Sequence, residues 1–238
     1  MSTNTQKEIY TAPGKYSVKD AASILGVSTP RVIQMIYSGE LKALRTVNEA
    51  YLVDARVLHE YQRIRAGNGR PWKETTAWAA LWMLSGKEAD WLDYHQSRRL
   101  IARLKSISAK ELIWLTRKRA STETLRASSS FLDDIREELL LSGRSSDLLP
   151  DMGLTERRDV VEGYLDASNY QEFKESFRLV EDSEGSVIVR LFSRQPFDVS
   201  RIIQMPIAVV LTDLSSSTDT RERSIATAKL EELLYANR

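Results

Sequence analysis

An α+β architecture is predicted for this 238-residue chain: a small helix-and-hairpin unit over residues 1–68, a helical segment over 69–120, and a small mixed α/β domain over 121–238. Three observations predict it. Apolar residues recur at helical spacing as far as Ala120, and short β-branched runs take over afterwards. The stretch Gly67-Asn68-Gly69-Arg70-Pro71 is the clearest linker, because two glycines and a proline stop any preceding helix. Charge also divides along the chain. Residues 1–120 hold 20 Lys/Arg against 11 Asp/Glu, and residues 121–238 hold 14 against 22, beneath an overall charge of only +1. A basic half joined to an acidic half points to a nucleic-acid-binding end and a second end with another task.

Residues 1–14 are polar and end in Ala12-Pro13-Gly14, which reads as a loose tail. Ser17 and Asp20 then stand as N-cap and third residue of a first helix, whose buried face is Val18, Ala21, Ala22 and Leu25. Gly26 sits where a chain leaving a helix takes positive φ at low cost. Thr29 is expected to cap a second helix with Pro30 at its first position, where a missing N–H costs nothing. Val32, Met35 and Ile36 would face the first helix, leaving Arg31, Ile33, Gln34 and Tyr37 on or near the outward side, and Ser38-Gly39 ends the helix. Leu41 to Arg45, a turn at Asn48-Glu49, and Tyr51-Leu52-Val53 predict a two-stranded wing, followed by an Asp54-capped helix over 55–65. Two short helices joined at a glycine and followed by a wing make a winged helix-turn-helix. Its second helix can enter a major groove, where Arg31 suits guanine and Gln34 suits adenine, while Lys42 and Arg45 lie where a wing meets the DNA backbone. The plainer alternative is a helical hairpin packed on a β-hairpin with no DNA role.

Beyond the linker, helices are predicted over 72–85, 90–106 and 108–120, the last opened by a Ser108/Glu111 capping box. Strand-like runs follow at 124–127, 139–142, 160–165, 177–181 and 186–192, with a helix over 130–138 and a closing helix over 220–235. The tryptophans sit at core spacing. The basic clusters Arg98-Arg99, Arg103-Lys105 and Arg117-Lys118-Arg119 read either as solvated faces or as an extension of the DNA footprint.

Ala21-Ala22, Leu25-Gly26-Val27-Ser28, Val32, Gly39-Glu40-Leu41 and Leu52-Val53 resemble the excisionase/MerR-type winged-helix family. That resemblance implies double-stranded DNA as partner, with base or phosphate contacts from Ser28, Thr29, Arg31, Gln34, Lys42 and Arg45. Two departures stand out: Ile33 replaces a frequent basic or polar residue, and the wing tip lacks the usual glycine pair. More loosely, Thr212-Asp213-Leu214, Asp219-Thr220-Arg221 and the Trp78 to Arg98 region are similar to AbiEi-type antitoxins and related bacterial regulators. The likeness implies repression of the chain's own operon and a nucleotidyltransferase-like toxin as partner. The alternative function is an excisionase-type accessory factor that shapes DNA for recombination.

Enzymatic chemistry finds little support. The chain has no cysteine and two distant histidines, His59 and His95, which excludes thiolate catalysis and histidine-rich metal sites. Asp133, Asp134, Glu137 and Glu138 read as a solvated acidic helix face; Asp213-Leu214 closes an apolar strand or helix, and Ser215 to Ser217 read as a turn. No Gly-rich phosphate loop occurs, so neither cofactor nor metal nor catalytic residue is expected. No signal-peptide pattern or membrane-length apolar run is seen, so a cytoplasmic protein is expected, and a homodimer is plausible because operators are often palindromic.

Overall fold

The computed structural model describes residues 14–46, 49–64, 69–155, 157–193 and 195–237, and these fall into two compact units divided after Arg65. The first unit runs β1 (Lys15–Ser17), α1 (Val18–Leu25), α2 (Thr29–Tyr37), β2 (Ala43–Arg45), β3 (Tyr51–Asp54) and α3 (Ala55–Ile64). Its sheet has three strands in the order β1-β3-β2, all antiparallel, so β3 is central rather than half of a hairpin. The additional strand β1 was not expected. Three residues are too few to display an alternating pattern, and β1 exists because β3 offers it an open edge.

Asp54 locks this arrangement. It accepts a hydrogen bond from Lys15 Nζ at 2.7 Å across the sheet, and it caps α3 by accepting from the amides of Arg56 at 2.9 Å and Val57 at 3.3 Å. Burial pushes its carboxyl upward, but Lys15 and the helix amides pull harder, so it lies below the usual carboxylate range. A depressed acid adds stability above its unfolded value near 3.9, and that contribution disappears as the pH falls through the lower folded value. Asp54→Asn is therefore expected to remove part of the acid-side loss of stability in unit one. Denaturant unfolding of both proteins followed from pH 6 to pH 2 tests this; parallel curves count against the role given to Asp54.

The second unit contains α4 (Glu74–Leu84), α5 (Tyr94–Leu104), α6 (Ala109–Thr116), β4 (Ser121–Arg126), α7 (Leu132–Glu138), β5 (Leu140–Leu141), β6 (Val161–Asp166), α8 (Tyr170–Ser176), β7 (Val180–Glu181), β8 (Val187–Phe192), α9 (Ile207–Leu214) and α10 (Thr220–Ala236). Five strands form one mixed sheet in the order β5-β6-β8-β4-β7, with β6 and β8 parallel and the other pairs antiparallel. The expected break near residue 120 does not divide the fold. Helices α4 and α6 pack on α9 and α10 from the far end of the chain, so residues 66–238 form a single unit.

Strand periodicity sorts this sheet into two faces. Val161, Leu165, Val187 and Val189 join Leu132 and Ile135 of α7 and Phe173 of α8 in one apolar core. The alternate positions, Glu162 and Tyr164 on β6 with Arg190 and Phe192 on β8, are equally buried on the opposite face. There Tyr164 meets the fully buried Trp78 of α4 edge-on at 5.4 Å and stacks on Phe192 at 5.9 Å.

The same face holds a buried ionic network. The Asp213 carboxylate on α9 receives Arg119, Arg190 Nε at 2.8 Å, the Tyr164 hydroxyl at 3.0 Å and Ser142 Oγ at 2.5 Å. Arg119 also donates to Tyr164 at 3.0 Å, and Arg190 pairs with Glu162. Gly143 has φ +54°, and a Cβ there would run into the Glu162 carboxylate, so only glycine fits this turn beside the network. One expectation is corrected here: Arg119 is no part of a solvated or DNA-facing cluster. Asp213 and Leu214 close the apolar element ahead of the serine loop, which is a helix, and Asp213 is a buried ion-pair centre there.

Candidate nucleic-acid interface

The helix-turn-helix is built from local signals. Ser17 caps α1 by accepting from the Asp20 amide at 3.1 Å, and its hydroxyl donates in return to the Asp20 carboxylate at 2.5 Å. Gly26, at φ 62°, ψ 39°, ends α1, and the Val27 amide bonds back to the Ala22 carbonyl at 3.0 Å. The expected start of α2 shifts by one residue. Ser28 takes the extended cap conformation with its carbonyl already accepting from the Arg31 and Val32 amides, its side chain makes no capping bond, and Pro30 is the second helical residue.

One side of α2 is anchored. Val32 and Met35 are buried against Ala21, Ala22 and Leu25, and Ile33 and Ile36 are half-buried. Glu40 accepts from Tyr61 Oη at 3.2 Å and Ser38 Oγ at 3.1 Å, and the Glu40 amide bonds to the Met35 carbonyl at 2.8 Å. Gln62 Nε2 on α3 donates to the Ile24 carbonyl at 3.1 Å. These bonds tie the C-terminal end of α2 to α3, and α3 to α1.

The other side is open. Ser28, Thr29, Arg31 and Gln34 are all exposed on α2, and Arg31 Nη1 donates to Gln34 Oε1 at 2.6 Å. The bond leaves the Gln34 amide NH2 and most guanidinium donors pointing outward, a donor-rich edge suited to guanine O6 and N7. Lys42 precedes β2 and Arg45 closes it, both exposed, with Arg45 in a solvent-facing pair with Glu49 at 3.2 Å. Such a pair is worth at most about 1 kcal/mol and opens readily for a phosphate. Of the expected turn, Asn48 lies outside the described residues; Glu49 takes φ 62°.

Sequence patterning missed one component. Tyr37, 74% exposed at the end of α2, meets Tyr51 of β3 edge-on at 6.0 Å with their hydroxyls 3.4 Å apart. This bond holds the Tyr51 phenol above its ordinary range. The pair bridges the outer helix to the wing, where Tyr51 lies opposite Arg45 of β2. No spacing rule joins residues 37 and 51, although Tyr37 falls on the outward helical face.

Residues 16–65 match a family model described as a helix-turn-helix domain. The match supports a DNA-binding regulator and fits an excisionase-type unit. Neither the curated proteins nor the solved structures contain a match to this chain. Among the described residues, no helix is long and apolar enough to cross a membrane.

Proposed function

We propose that this chain is a sequence-specific transcriptional repressor that binds its own operator in the cytoplasm through α2 and the β2–β3 wing. The observation that carries the reading is the division of α2: Val32 and Met35 are clamped inward while Ser28, Thr29, Arg31 and Gln34 face solvent. An anchored helix loses little freedom on docking, so its polar edge can be used for base contacts rather than for ordering the helix. Ser28 and Thr29 hydroxyls and the first amides of α2 suit a phosphate, Arg31 and Gln34 suit base edges, and Lys42 and Arg45 suit the flanking backbone. A palindromic operator calls for a homodimer. The reading assigns no reaction to the chain.

The second unit carries the finer proposal. With its own core, residues 66–238 are far larger than a DNA-shaping accessory needs, and their likeness to AbiEi-type regulators suggests an antitoxin that restrains a nucleotidyltransferase-like toxin. The excisionase-type accessory remains the second reading, because the helix-turn-helix match serves it equally.

A gel-shift titration on the chain's own upstream DNA tests the first level. Binding on the order of 10³-fold tighter than to a scrambled duplex of equal length is expected, and equal affinity for both sinks operator recognition. For the second level, the product of the adjacent gene is expressed with and without this chain. Rescue of growth arrest supports the antitoxin; an adjacent integrase whose excision reaction the chain stimulates replaces it with the accessory factor.

A further inference from the structure

We infer that the outward face of α5 is a second, sequence-independent contact for duplex DNA, built on the second unit and separate from the helix-turn-helix. The inference rests on the DNA-binding reading above only in that both surfaces belong to one chain.

From Tyr94 to Lys110 the sequence holds Arg98, Arg99, Arg103, Lys105 and Lys110 and no Asp or Glu. Leu100 and Leu104 bury one side of α5, and 100° per residue then carries Arg98, Arg99 and Lys105 to the opposite side around the small Ala102. All three cations are exposed, as is Ala102. Two of them meet neutral groups: Arg98 donates to the Tyr94 hydroxyl at 3.5 Å with its guanidinium over that ring, and Arg99 donates to the His95 carbonyl at 3.3 Å. Arg103, lower on the flank, is engaged by Glu111 at 3.8 Å.

An ordinary solvated helix face mixes charge signs, because like charges three or four residues apart repel. Here the repulsion is tolerated, and the Asp93/Gln96 capping box at the start of α5 supplies compensating helix stability. A row of exposed guanidinium and ammonium groups around Ala102 fits a row of phosphates. The acidic charge of residues 121–238 makes this row a local exception rather than part of a generally basic unit.

The test uses the full chain and a 30-base-pair random-sequence duplex, with affinity measured against salt. The α5 variant is Arg98→Ala/Arg99→Ala/Lys105→Ala, and a second variant, Arg31→Ala/Lys42→Ala/Arg45→Ala, disables the first surface. The α5 variant is expected to fold, since it alters exposed side chains only, and to reduce the slope of log K against log salt by about 2 to 3. The same reduction is expected when it is combined with the first-surface variant. An unchanged slope overturns the α5 contact and leaves the helix-turn-helix reading intact if the first-surface variant alone weakens binding. A slope that responds only to the α5 substitutions upholds this contact and defeats that reading. No binding by the native chain at low salt overturns both, and loss of polyglutamate binding with an unchanged DNA slope assigns the face to an acidic protein instead.

Discussion

Asp213→Ala is expected to destabilise the second unit by about 3–5 kcal/mol, the cost of removing one partner from a buried ion pair. For a unit of this size that lowers Tm by roughly 6–20 °C. Asp213 pairs with both Arg119 and Arg190, whereas Glu162 pairs with Arg190 alone, so losing Asp213 leaves the buried Arg119 guanidinium facing no carboxylate. The same change frees Ser142 and Tyr164, and it cuts the tie between α9, β6, β8 and the segment after α6. Glu162→Gln should behave differently. Burial pushes the Glu162 carboxyl upward, Asp213 adds to the push, and the pull of Arg190 and the Arg144 amide does not overcome them. An amide of the same shape keeps a hydrogen bond to Arg190, which still has Asp213, so a loss of only about 1 kcal/mol is expected. Calorimetry of the two variants decides the point; equal losses would show that the network is not centred on Asp213.

Arg31→Ala and Gln34→Ala are each expected to cost about 1–3 kcal/mol of operator binding, a factor of roughly 5 to 200, and to relax preference at the base pairs they face. Because Arg31 and Gln34 share a hydrogen bond at 2.6 Å, each orients the other before DNA arrives. The double variant should therefore lose less than the sum of the single losses, by about 0.5 kcal/mol or more. Binding to random duplex should fall much less than binding to the operator. Strict additivity in the gel-shift cycle would mean the two side chains read DNA independently, and unchanged operator affinity in both single variants would remove α2 from the interface.

Local chemistry made much of this protein legible. The capping pair Ser17/Asp20, the positive φ of Gly26, the Ser108/Glu111 box and the run from Val187 to Phe192 each act within a few residues, and the elements they mark are all present. The outward exposure of Arg31 and Gln34 follows from a helical period applied to nine residues. The Asp93/Gln96 box starts α5 at Tyr94, later than the predicted residue 90. Helix α8 lies in none of the predicted elements, and the run Ile207 to Leu214 fits strand or helix alike, because it has no polar face to reveal its period.

What only the tertiary structure decided is the fate of the charged residues on the sheet. Alternation along β6 and β8 sends Glu162 and Arg190 to the face opposite the valines, and by sequence that face is the one open to water. Helices α4 and α9, with Arg119 from the segment after α6, cover it instead, from positions as far apart as residues 78 and 213. Whether a charged side chain meets solvent or a counter-ion depends on which distant segment lies over it, and no local period carries that information. Local sequence determined the capped helices and the polar edge of α2; long-range packing determined that Arg119 and Asp213 belong to the core while Arg98 and Arg99 remain outside.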